Sequence, residues 1–322
     1  MNEISKERKN GLDIIIYELG NLKKDEKLCI ISDKNTENLG NLFFKNAKES
    51  NFDVEHLIMD ELKMHGEEPP KSIAESMKKS NLIIGLTSFS IAHSKARINA
   101  ELMGIRYLSL PDYSKEILSN PALQENFLQK SKKLISLANK LSRGKKIRVI
   151  SEKGTNIELD IENRKGNSAP GFVNNKILLG SPPDIEVNIS PNENYSNGEI
   201  VIDGSIPHPK IGLLEKPIIL KIENGVITSI SGDLQIKSQL ESIFSKYSKK
   251  SRILAELGIG YNSMAKLSGN MLIDEGTYGT IHFGFGSNLA LGGLNEINFH
   301  LDFVTYEDSI IIDDETIKIW VF

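Results

Sequence analysis

The apolar positions of this chain follow two regimes. In the first, short apolar runs alternate with amphipathic stretches. Lys27-Leu-Cys-Ile-Ile-Ser32 is a continuous run of strand length, and residues 54–59, Asn81-Leu-Ile-Ile-Gly-Leu-Thr87 and Tyr107-Leu-Ser-Leu110 repeat it. Between the first two, Leu39, Leu42, Phe43 and Ala47 recur at helical spacing and predict a helix over 35–50. Further helices are predicted over 70–79, opening at a proline, over 94–102, closing at Gly104, and over 120–142. Continuous apolar strands that alternate with helices belong to a parallel sheet covered on both faces.

After the basic run Arg143-Gly-Lys-Lys-Ile-Arg148 the pattern changes to alternating, turn-separated strands. These are predicted over 155–161, 185–189 and 199–203. A hairpin over 217–228 turns at Asn224-Gly225, a strong two-residue turn signal. One helix is predicted over 235–249, and the last strands over 252–260, 279–285, 298–304 and 309–321. The expected fold is therefore α/β in two domains: a parallel α/β domain over 1–145 and a strand-rich α+β domain over 146–322.

Composition narrows the function. The chain has 322 residues and a net charge of -4, with no basic footprint, so nucleic acid is not an expected partner. No apolar run approaches the roughly 18–20 residues of a membrane span, so no membrane partner is expected either. The charged N-terminus lacks the apolar core of a signal peptide, and the single cysteine, Cys29, lies in an apolar strand; both point to a cytoplasmic protein. No glycine-rich phosphate loop follows the first strand, where Asp33-Lys-Asn-Thr36 stands, so a nucleotide cofactor is not expected.

The candidate chemistry lies in the second domain. His300 and Asp302 are two residues apart, which on a strand points both side chains to one face. His282 lies in Thr280-Ile-His-Phe-Gly-Phe-Gly286, where glycines allow close approach. Glu256 interrupts an apolar strand and is costly there unless it is paired or bound to a metal. Glu199 opens another strand. Three carboxylates and two imidazoles suit divalent ions. Each piece also has a plainer use: Glu199 as a solvated strand-end charge, and Glu256 as a partner of Arg252 or Lys266. In the first domain His93 and Arg97 are candidates for binding a substrate carboxylate. Ser94 beside them equally fits a helix cap.

Four segments in register resemble the thermophilic metalloaminopeptidase family of aminopeptidases T and S. They are Ser90-Ile-Ala-His-Ser-Lys-Ala-Arg97 through Gly104 to Pro111; Gly198-Glu199; Lys216 to Ile227 followed by Ala255-Glu256-Leu-Gly258; and Asp274-Glu275 through Gly279-Thr-Ile-His282-Phe-Gly-Phe-Gly286 to His300-Leu-Asp302. The resemblance implies a pair of co-catalytic divalent ions (zinc, cobalt or manganese) on Glu199, Glu256, His282, His300 and Asp302. Glu199 or Glu256 would be the proton carrier, in a homodimer acting on peptide N-termini. The chain departs from that pattern: it is shorter, the segment between His282 and His300 is compressed, and no tyrosine follows the His282 motif. A mononuclear relative of that fold, 2,5-dihydroxypyridine dioxygenase, offers an alternative. In it His282, His300 and Asp302 would hold a single Fe(II) that serves a small aromatic substrate. A third alternative is a relative that binds without catalysing.

Overall fold

A computed structural model describes residues 11–306 and 309–317. The expected last strand therefore lies partly outside the described residues, over 318–321, as does the N-terminal decapeptide. The chain divides into two compact units. One runs to Gln124 and takes in Gly171–Pro182; the other comprises Glu125–Pro170 and the chain from Pro183 onward. The expected boundary at 145 thus moves to 125. The helix Phe127–Leu141, with Phe127, Leu134, Leu137, Ala138 and Leu141 buried, packs on strands of the second unit.

The first unit is the parallel α/β layer that the apolar runs predict. Lys27–Asp33 lies between Asp53–Met59 and Leu82–Leu86, and Arg106–Ser109 continues the sheet beyond Leu86. All of these pairings are parallel, with Leu28 opposite Val54 on one side and Leu82 on the other. Leu28, Cys29, Ile30 and Ile31 are fully buried, as strands covered on both faces require. A fifth strand, Leu179–Gly180, comes from the returning segment and was not legible in the sequence.

The second unit holds two seven-stranded sheets. In one, the hairpin Ile218–Glu223 and Val226–Gly232 turns at Asn224 and Gly225, both at positive φ (49° and 73°), as an Asn-Gly turn dictates. Beside it Asn197–Ile202 pairs with Ile218–Glu223 and Asn156–Asp160. The other sheet is mainly antiparallel. Its central strands run in the order His300–Tyr306, Thr280–Gly286, Leu254–Gly260, Glu186–Ile189. The chain passes between the two sheets at 203–204, where Ser205–Ile206 joins the second one beside Val304. No described helix is long and apolar enough to cross a membrane.

Candidate metal centre

The second sheet is built on strict alternation. Residues 187, 189, 257, 259, 281, 283, 285, 301 and 303 are Val, Ile, Leu or Phe, and all are buried. Phe285 and Phe303 meet edge to face at 5.3 Å. The intervening positions therefore share the opposite face. In cross-strand register, Gly260 faces Glu186, Gly258 lies between Asn188 and His282, Gly284 lies between Glu256 and Asp302, and Gly286 faces His300. One face thus carries Glu186, Glu256, His282, His300 and Asp302 with glycines between them.

Those glycines make the room. A Cβ on Gly258 would lie 2.0 Å from the His282 ring, and one on Gly284 would lie 2.6 Å from His300 Nε2 and 2.9 Å from Asp302 Oδ1. The Glu-Leu-Gly-Ile-Gly and His-Phe-Gly-Phe-Gly patterns combine an apolar core face with an uncrowded polar one.

Distances within the cluster are short. His282 Nε2 lies 3.2 Å from Glu186 Oε2 and 3.7 Å from Glu256 Oε1. His300 Nε2 lies 3.3 Å from Glu256 Oε2 and 3.1 Å from Asp302 Oδ1. Two three-donor sets result, Glu186–Glu256–His282 and Glu256–His300–Asp302, and they share Glu256. All but His300 are buried; its side chain keeps 32% of its exposure and opens the cluster to solvent. His300 Nδ1 lies 2.8 Å from the Ser287 carbonyl. A carbonyl only accepts, so Nδ1 carries a proton and Nε2 is turned to the carboxylates.

The electrostatics follow from crowding. Burial opposes charge on His282, yet Glu186 and Glu256 beside it hold its pKa well above the usual imidazole range. Burial is likewise outweighed at His300, where Asp302 and then Glu256 raise the pKa. Burial alone would raise the Asp302 pKa, but His300 pulls it down to about 2. Burial raises Glu186, and it raises Asp184 and Glu275 well above the carboxylate range, each with neighbouring acid charge adding to the effect.

The donor set fits a divalent cation. Glu186 Oε2 and Asp184 Oδ1 are buried without a hydrogen-bond partner. An acid oxygen left so is costly, and a cation held by the set that includes Glu186 would satisfy that one. Carboxylate and imidazole together suit iron, manganese or zinc.

Against the expected ligands, the structure brings together Glu256, His282, His300 and Asp302. It does not bring Glu199 to them. Glu199 is exposed on the other sheet, opposite Lys221 and Asn156, so its assignment as ligand and proton carrier is corrected. Glu186 stands in the cluster instead. Its signal was available: a glutamate inside the apolar strand Ile185-Glu-Val-Asn-Ile189, the same anomaly that singled out Glu256. Glu256 does not pair with Arg252, which bonds Glu241. In the first unit Ser94 Oγ accepts from the Arg97 amide as a helix cap. The Arg97 guanidinium is buried and donates to the Ala92 carbonyl, just ahead of its helix, and to Glu101 one turn on. His93 is exposed just before that cap.

The family described as 2,5-dihydroxypyridine 5,6-dioxygenase, NicX, matches residues 16–319. The chain belongs to that family. The structure of 2,5-dihydroxypyridine dioxygenase from Pseudomonas putida KT2440 is similar, with a TM-score of 0.81 and 16% identity over 98% of this chain and 96% of that one. Aminopeptidase T from Thermus thermophilus is similar at a TM-score of 0.66 and 12% identity, over 95% and 94% of the two chains. No curated protein matches the sequence. The resemblance to the aminopeptidases thus reflects a shared fold. The description as a hydrolase and aminopeptidase is overturned by the family match: the NicX family is one of oxidoreductases.

Proposed function

We propose that this protein is a metal-dependent ring-opening dioxygenase acting on a small dihydroxylated aromatic ring of the 2,5-dihydroxypyridine class, with Fe(II) as its metal. The observation that carries the reading is the match of the dioxygenase family to residues 16–319, which contain every donor of the cluster. His282, His300 and a carboxylate, Asp302 or the shared Glu256, would hold the ion. Bound there, Fe(II) would bring the substrate and O₂ together and relay to O₂ the electrons that the ring gives up.

The chain's own residues supply the rest. In the metal-free chain His300 faces Asp302 and pulls its pKa down to about 2, so the carboxylate is already ionised when a cation arrives. Glu186 Oε2 faces His282 Nε2 at 3.2 Å, beside the donors that would hold the ion, and burial raises the pKa of its carboxyl. Both properties suit a base that takes a proton from a ring hydroxyl. Asn188 Nδ2 donates to Glu186 Oε1 at 2.7 Å and leaves Oε2 available for that role. The buried sheet face excludes bulk water from all but the His300 edge.

The test is ¹⁸O₂ turnover of 2,5-dihydroxypyridine by Fe(II)-loaded protein, read by mass spectrometry. Dioxygenation places both labelled atoms in one ring-opened product. A product with no label, or no product, removes the reading.

A further inference from the structure

The segment between His282 and His300 is short in this chain, and the structure shows how it is held. Ser287, whose carbonyl accepts from His300 Nδ1, is followed by Asn288, which is buried. Asn288 Nδ2 donates to Ser190 Oγ at 2.9 Å and to Glu193 Oε1 at 2.7 Å, and Asn288 Oδ1 accepts from the Asn295 amide at 2.7 Å. Glu193 Oε1 also accepts from the Leu294 amide at 2.8 Å, and Glu193 Oε2 bonds Arg164. Arg164 Nη1 donates to the Gly292 carbonyl at 2.8 Å. Asn295 Nδ2 closes the loop on the Gly286 carbonyl at 2.6 Å. A Cβ on Gly293 would lie 2.0 Å from the Asn288 amide, so the loop packs directly on that side chain.

None of these side chains belongs to the donor set. Their polar atoms converge on the residue next to Ser287. A metal-binding imidazole needs its second nitrogen fixed, because that bond selects the tautomer and aims the ring. Here the acceptor is a loop carbonyl, which is only as well placed as the loop. We propose that Glu193 and Asn288 are positioning residues for His300: they fix the Ser287 carbonyl, and through it the orientation of Nε2 toward the metal. The inference rests on the reading of His300 as a ligand but not on the reaction.

The experiment uses full-length metal-free protein titrated anaerobically with Fe(II) by calorimetry. The ¹⁵N shifts of His300, read in Zn(II)-loaded protein where the metal has displaced one ring proton, report the tautomer, and circular dichroism reports the fold. Asn288→Ala and Glu193→Ala are expected to weaken Fe(II) binding about 10- to 100-fold, as loss of outer-shell partners does. The His300 tautomers should become mixed while the fold is kept. Glu193→Gln keeps an acceptor oxygen for Asn288 and Leu294 and should restore affinity to within about threefold of wild type. Should Asn288→Ala not fold, the Glu193 pair carries the test. Folded Glu193→Ala protein with wild-type affinity and an unmixed tautomer overturns the proposal, as does a wild-type chain that binds no Fe(II). Tight Fe(II) binding without ring opening removes the dioxygenase reading and leaves this inference standing.

Discussion

Asp302 faces Gly284 across two antiparallel strands, and the absent side chain at 284 is what lets His300 and Asp302 lie 3.1 Å apart over that position. Gly284→Ala would put a methyl within 3 Å of both donor atoms. The substitution should weaken Fe(II) binding at least tenfold and cost about 1–3 kcal/mol of stability from overpacking. Calorimetric titration beside a denaturant melt checks both, and unchanged affinity contradicts the assignment of this pair.

Glu186→Gln keeps the shape of the side chain and removes its basicity. If Glu186 takes the substrate proton, kcat should fall about 10²- to 10⁴-fold with KM little changed. The acid limb of the pH–rate profile should disappear with it. Full activity in the variant contradicts the role.

The metal-free protein should be less stable at alkaline pH. His282 and His300 have raised pKa values in the folded chain. Their contribution is complete below the unfolded imidazole value of about 6.5 and is lost as pH rises through the folded values. Burial raises Asp184, Glu186 and Glu275, and these act in the same sense, because their ionisation in place is unfavourable. Asp302, depressed to about 2, acts oppositely: its contribution is present above about pH 4 and is lost on further acidification. Melting temperatures in chelator should fall from pH 6 to pH 9. Bound Fe(II) or Mn(II) should flatten the slope, since the ligands are then already deprotonated. A flat profile without metal contradicts the coupling.

Glu199→Gln should change nothing of consequence. The side chain is exposed on the other sheet. Stability is expected within about 0.5 kcal/mol of wild type, with metal affinity unchanged. A large loss of Fe(II) binding would contradict the site described.

Much of this arrangement was legible before the structure. The four apolar strands of the parallel sheet, the Asn224-Gly225 hairpin and the His300-Asp302 pair are local signals, set by a short stretch of chain. What escaped was non-local. Glu186 and Glu199 are both strand glutamates, and only cross-strand register separates them. That register places Glu186 opposite Gly260, next to the histidines, and Glu199 opposite Lys221. The return of 171–182 to the first unit and the transfer of the helix Phe127–Leu141 to the second are also decided by packing partners distant in sequence. The reaction is not legible in the fold: the chain is similar in structure to aminopeptidase T as well as to the dioxygenase, and a shared fold does not fix the chemistry performed on it.

The most direct measurement is anomalous diffraction at the iron edge from crystals grown anaerobically with Fe(II). A peak within bonding distance of Nε2 of His282 or His300 and of a Glu256 or Asp302 oxygen is the expected result. A map without density there, or with iron only at other side chains, would contradict the metal centre on which the proposed chemistry depends.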